Sequence, residues 1–290
     1  LIADYEARTN TQVWNLDFAR GPAGIDRTQG TLPVVDLPGD CRLTLLSPDH
    51  DGLLYLKDRW KSELDRAHVK SGDVTALRQK LAASRSLRPL GDVLGAADDD
   101  AFAAAGEHRF ELPADDDSDL DAGLEDALGR GSGEAGADAP FGGDASAANG
   151  SSIAVLLEYP AAAPKVRLLL VGDAWPGVLE TSITTLLGDP GKRLAVDAFK
   201  LPHHGSVANL SASLLEHLRC SHYLVSTSGA LFRHPHKRAL DLILAHHAGP
   251  GRPTLHFNYL TRCTAPWSEQ ADQKNRGYRA LHPKGTSLSF

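Results

Sequence analysis

Three apolar runs, each ending in side chains of the kind that bind metal ions, constrain this chain more than any other feature. Residues 166–170 lead into Val171-Gly172-Asp173, and Leu194-Ala195-Val196-Asp197-Ala198-Phe199 leads into Lys200-Leu201-Pro202-His203-His204-Gly205-Ser206. Tyr223-Leu224-Val225-Ser226 leads into a loop that carries His234-Pro235-His236. Short apolar runs bounded by turn residues read as buried strands. Strands that deliver polar groups to one rim are how α/β proteins build a site.

The surrounding pattern supports a layered α/β fold. Residues 32–37 and 41–46 read as strands joined by Pro38-Gly39-Asp40. Ser47-Pro48-Asp49 then opens a helix with Leu53, Leu54, Leu56, Trp60 and Leu64 at helical spacing, expected to face the core. After Asn149-Gly150-Ser151-Ser152 come a strand pair over 153–159 and 166–171 and a helix from about Pro176 with Val178, Leu179, Ile183 and Leu186. Strand 194–199, helix 210–218, strand 222–227, helix 237–247 and strand 254–257 follow, an alternation that gives α/β layering. Phe257, Tyr259, Trp267 and Tyr278 are expected to pack beneath the last strands.

Composition interrupts this order once. Residues 92–148 hold sixteen acidic residues against two arginines, a local charge of −14, which leaves +7 on the rest of a chain whose net charge is −7. So acidic and Ala/Gly-rich a stretch buries too little apolar surface to offset its ordering entropy, so a flexible surface insertion is expected, and proteolysis should cut there first. Asp115, Asp117 and Asp119 alternate as in an EF-hand, but Leu120 and Asp126 stand where the loop needs Gly and Glu.

No apolar run approaches the roughly eighteen residues of a membrane span, and no basic leader precedes an apolar stretch, so a cytoplasmic protein without membrane contact is expected. Cys41, Cys220 and Cys263 are far apart and in no Cys-x-x-Cys arrangement, which argues for free thiols over disulfides or a thiolate zinc site. The chain has no Met and opens on Leu1-Ile2-Ala3.

Carboxylate oxygen and imidazole nitrogen are donors that a borderline divalent metal takes, so Asp173, His203 and His204 are the candidate metal ligands. Gly205 would allow close backbone approach, Ser206 would hydrogen-bond an imidazole, and Lys200 would meet an anionic group. Each has a plainer alternative: a helix cap for Asp173, a mutually satisfied pair for the histidines, a solvated end for Lys200.

Asn149-Gly150-Ser151-Ser152, Val171-Gly172-Asp173, residues 199–206, Ser226-Thr227-Ser228-Gly229 and His234-Pro235-His236 together resemble the C-terminal half of a metallo-β-lactamase-fold hydrolase, most closely the hydrolase domain of DNA-uptake competence proteins and their free-standing relatives. The resemblance covers about residues 149–257, with an echo at Leu45-Leu46-Ser47-Pro48. It implies a partial αββα sandwich: residues 1–91 as an N-terminal part, 92–148 as the insertion and 149–290 as the C-terminal half. It also implies two zinc ions in a full-length form, with manganese as the alternative. Asp173 would bridge them, one of His203 and His204 would complete the second metal's shell, and Lys200, Ser206 and His234 would assist catalysis or face substrate.

The family's His-x-His-x-Asp-His motif does not occur, since His50, His68 and His108 stand alone. The resemblance therefore implies the second half of a longer enzyme, inactive as an isolated chain, whose remaining ligands come from a missing N-terminal half or a complementary chain. The substrate would be an anionic small molecule or nucleic acid cleaved at an ester or phosphodiester. The alternative is a catalytically degenerate binding or regulatory module on the same fold.

Overall fold

The computed structural model describes residues 21–83, 146–227 and 233–283, with Asn15, Phe18, Asp144 and Gly229 besides. Most of the acidic stretch over 92–148 thus lies outside the described residues. The chain divides into two compact units, residues 1–56 with 133–290, and residues 57–132.

The larger unit is mixed α/β. Strand β1 (Val34–Leu37) pairs antiparallel with β2 (Cys41–Ser47) across the Pro38-Gly39-Asp40 turn. Helix α1 (His50–Arg66) starts in this unit, and α2 (Val74–Ala83) belongs to the smaller one. A short turn of helix, α3 (Ala147–Gly150), precedes the antiparallel pair β3 (Ala154–Tyr159) and β4 (Val166–Leu170). Helix α4 (Pro176–Leu187) begins on Pro176, whose fixed φ suits a first helical position, and ends at Gly188 with φ 64°.

Next come β5 (Leu194–Ala195), β6 (Ala198–Lys200), α5 (Ala212–Glu216), β7 (Leu218–Arg219) and β8 (His222–Val225). Helix α6 (Lys237–His246), β9 (Thr254–Phe257), α7 (Gln270–Arg276) and β10 (Arg279–Leu281) complete the described chain.

One eight-stranded sheet runs β1-β2-β3-β4-β6-β8-β9-β10, and β5 and β7 form a separate parallel pair. The first four strands are joined antiparallel, whereas β4, β6, β8, β9 and β10 are mutually parallel. Strands β6, β8 and β9 of the parallel half are largely buried, edge strand β10 is not, and Leu46, Ala154 and Leu156 of the antiparallel half join the same core. Leu169, Phe199, Tyr223, Val225, Leu255 and Phe257 join α4 residues Leu179 and Ile183 and α6 residues Leu240 and Ile243 in one core, as expected where helices cover a parallel sheet. Edge strand β1 has no fully buried residue. A register shift between Leu45 and Ser47 interrupts β2, and the Ser182 hydroxyl of α4 donates to the carbonyl of Leu46 at 2.6 Å, satisfying a buried acceptor there.

The structure corrects four expectations. The strand expected over 194–199 is two strands, because the chain turns at Asp197. Its N–H donates to the Arg167 carbonyl, and its carboxylate accepts from the Arg167 N–H at 2.7 Å. The helix expected over 210–218 ends at Glu216, after which Leu218 and Arg219 pair with β5. The leucine stripe of α1 buries no side chain: Leu54 and Trp60 are 57% and 54% exposed. Helical spacing puts apolar groups on one face but does not supply a surface to meet them. Trp267 and Tyr278 do pack as expected, both nearly inaccessible, with ring centroids 5.6 Å apart, whereas Tyr259 is exposed.

Candidate functional site

Because β4, β6 and β8 are parallel neighbours in this order, their carboxyl ends share one rim. The backbone stitches the three strand ends together. The His203 N–H donates to the Gly172 carbonyl at 3.0 Å, the Leu201 N–H donates to the Leu224 carbonyl at 3.0 Å, and the His236 N–H donates to the Gly205 carbonyl at 3.1 Å. Gly172 turns with φ 54°, leaving Asp173 half-buried at the rim.

After β6 the chain makes a tight turn over Pro202–Gly205 in which His203, His204 and Gly205 have φ of 41°, 57° and 89°. Two successive non-glycine residues in the left-handed region cost about 1–3 kcal/mol each and persist only where the surroundings hold them, as at ligand sites. The Gly205 position also excludes a side chain, since a Cβ there would sit 2.8 Å from the Pro235 Cβ.

The two imidazoles are held in a defined way. His204 Nδ1 lies 2.6 Å from the Ser226 carbonyl oxygen, and His203 Nδ1 lies 3.0 Å from Asn209 Oδ1. Both partners are acceptors, so in each neutral ring Nδ1 carries the proton and Nε2 presents a lone pair. This is the tautomer a metal-binding histidine adopts when an outer oxygen orients it. The rings are 6.2 Å apart.

Three charged groups flank them, Lys200, Asp173 and Asp144. Burial holds the Lys200 ammonium below its ordinary pKa, opposed by the carboxylate of Asp173. Its Nζ donates to the Leu201 carbonyl at 2.6 Å. Asp144 raises the His203 pKa, and Asp173 acts in the same direction. Burial pushes Asp144 itself upward, but hydrogen bonds from the His203 side, Asn209, the Ser146 N–H and Asn149 outweigh it and leave its pKa lowered. The His203 Nδ1 to Asp144 Oδ2 distance is 3.7 Å, a longer contact beside the bond to Asn209 that becomes an ion pair only when the ring is protonated.

His234 is buried next to this pair, its ring 5.4 Å from that of His203 and 4.6 Å from that of His236. Val207 N–H donates to His236 Nδ1. Ser206 is fully buried, and its hydroxyl accepts from the Ala208 N–H at 3.2 Å, capping the turn Val207–Asn209. Imidazole orientation is thus supplied by Asn209 and the Ser226 carbonyl, a role the sequence suggested for Ser206.

The rim gathers Asp173, Lys200, His203, His204, His234 and Ser206 from three strand ends. Sequence reasoning missed Asp144 and Asn209 as participants, and it quoted His236 in its motif without giving it a role. Asp144 was hidden because it ends an acidic run, and Asn209 because nothing in a lone Asn three residues after Ser206 marks it as buried.

The donors suit zinc or manganese in kind. Among the described residues, however, no three His, Cys, Asp or Glu side chains meet as a metal-ligand set, and three is the usual minimum for a catalytic zinc. The rim alone therefore does not close such a site. No helix among the described residues is long and apolar enough to cross a membrane. Comparison with protein-family models, curated proteins and solved structures gives no match.

Proposed function

We propose that this rim is the ligand-presenting part of a metal-dependent hydrolase site, on a partial metallo-β-lactamase-like fold, acting on an ester or phosphodiester. The observation that carries the reading is the pair His203 and His204, each with Nδ1 hydrogen-bonded to an oxygen and Nε2 left for a ligand. Asp173, His203 and His204 would contribute ligands to the metal, with zinc the first choice and manganese the alternative, and the rest of its shell would come from outside this rim. A divalent ion there would supply Lewis-acid activation. Lys200 favours an anionic substrate group near Asp173, and the positive balance of the chain outside residues 92–148 permits a small anion or a nucleic acid. His234, buried beside His203, would act on substrate through its neighbours or in proton transfer.

A second reading, a non-catalytic binding or regulatory module, is favoured by the lack of a three-residue ligand set among the described residues. The two separate in one experiment: a chromogenic phosphodiester incubated with the protein and added zinc or manganese. Metal-dependent turnover that disappears in His204→Ala supports the hydrolase. No metal bound through these histidines supports the module.

A further inference from the structure

We infer that Asn209, fixed by Asp144, is the positioning residue for His203. The inference deepens the proposed function, and rests on it for the claim that the imidazole serves a ligand. Asn209 is fully buried and joins three segments distant in sequence. Its amide nitrogen donates to Asp144 Oδ2 at 2.9 Å and to the Asp173 carbonyl at 3.0 Å, while its Oδ1 faces His203 Nδ1 at 3.0 Å.

An ionised carboxylate and a backbone carbonyl only accept, so both amide hydrogens of Asn209 are committed and its oxygen must point at His203. His203 Nδ1 must then donate, which leaves Nε2 as the lone-pair nitrogen at the rim. Asp144 is in turn held by the Ser146 N–H at 2.8 Å and the Asn149 side chain at 2.6 Å. Every member of this buried network has a complementary partner, the condition under which such networks specify one arrangement. The same amide also ties the Asp173 loop to the His203 turn, so it fixes both the tautomer and the spacing of two candidate ligands.

The test uses the metal-free full chain with 15N-labelled histidine, observed by NMR at an alkaline pH where the rings are neutral. The wild type should show His203 protonated at Nδ1 only. Asn209→Ala removes the acceptor, and Asp144→Ala frees the amide to turn its nitrogen toward the ring. Each should convert His203 to a mixture containing the Nε2–H form, while the His222–His256 pair, whose nitrogens lie 2.9 Å apart elsewhere in the sheet, keeps its signals. If Asn209→Ala does not fold, Asp144→Ala decides the question. A His203 tautomer unchanged in the folded variant overturns the inference.

A parallel zinc titration separates this outcome from the fate of the proposed function. Loss of the tautomer with zinc affinity reduced about 10- to 100-fold upholds both the inference and the metal reading. Loss of the tautomer in a protein whose wild type takes no zinc upholds the positioning role and removes the metal reading.

Discussion

The backbone N–H of His203 donates to the carbonyl of Gly172 across 3.0 Å, linking the turn after β6 to the turn after β4. Gly172 and His203 both adopt left-handed conformations across this bond, so the two candidate ligand loops are joined through their turns. Perturbing either turn should be felt at both.

Gly205 tests that coupling. Its φ is 89°, and a methyl group on its Cα would meet Pro235 Cβ at 2.8 Å, so Gly205→Ala must displace the segment carrying His234. The variant should lose about 2 kcal/mol or more in denaturant unfolding. Gly30→Ala, at φ 65° with nothing within 4 Å, should lose only about 1 kcal/mol.

His256 should weaken the fold as pH falls. It is buried in β9, and burial, then His222 and Arg279, push its pKa down to about 4. The unfolded chain titrates near 6.5 and so binds a proton first as pH falls. The stabilisation is complete above pH 6.5 and is lost progressively toward pH 4, by at most about 3 kcal/mol. Unfolding free energies measured between pH 7 and 4 should fall less steeply in His256→Gln. An equal slope in both proteins would contradict the assignment.

Cys220 should be inert. Burial pushes its thiol up to about 12, so almost no thiolate exists at pH 8. A maleimide or disulfide reagent should leave it unmodified in the folded protein and label it only after denaturation. Labelling of native Cys220 at the rate of an unfolded cysteine would show that the sheet opens around it.

The strands that lead to the rim were legible because short apolar runs ending in Gly-Asp, His-His and His-Pro-His read as buried strands, whereas their parallel order in the sheet came only with the fold. Other features depended on partners remote in sequence. Asp197 splits a run that reads as continuous because Arg167, thirty residues away, bonds both its N–H and its carboxylate. Asp144 reads as one more charge in an acidic stretch until Asn209 and Asn149 are seen to hold it. The α1 stripe reads as core-facing because periodicity reports the sharing of a face, and coverage of that face is decided elsewhere. Ser206 reads as a site residue from its place in the motif, whereas the fold uses its hydroxyl to cap the next turn.

The central claim is that His203 and His204 present Nε2 to a divalent metal, and zinc binding by the purified protein tests it most directly. Competition with a chromophoric chelator should reveal zinc bound by the wild type, with His203→Ala and His204→Ala each markedly weakened and His217→Ala, on the far end of α5, unchanged. Zinc content and affinity identical in the wild type and the His204 variant would contradict the account.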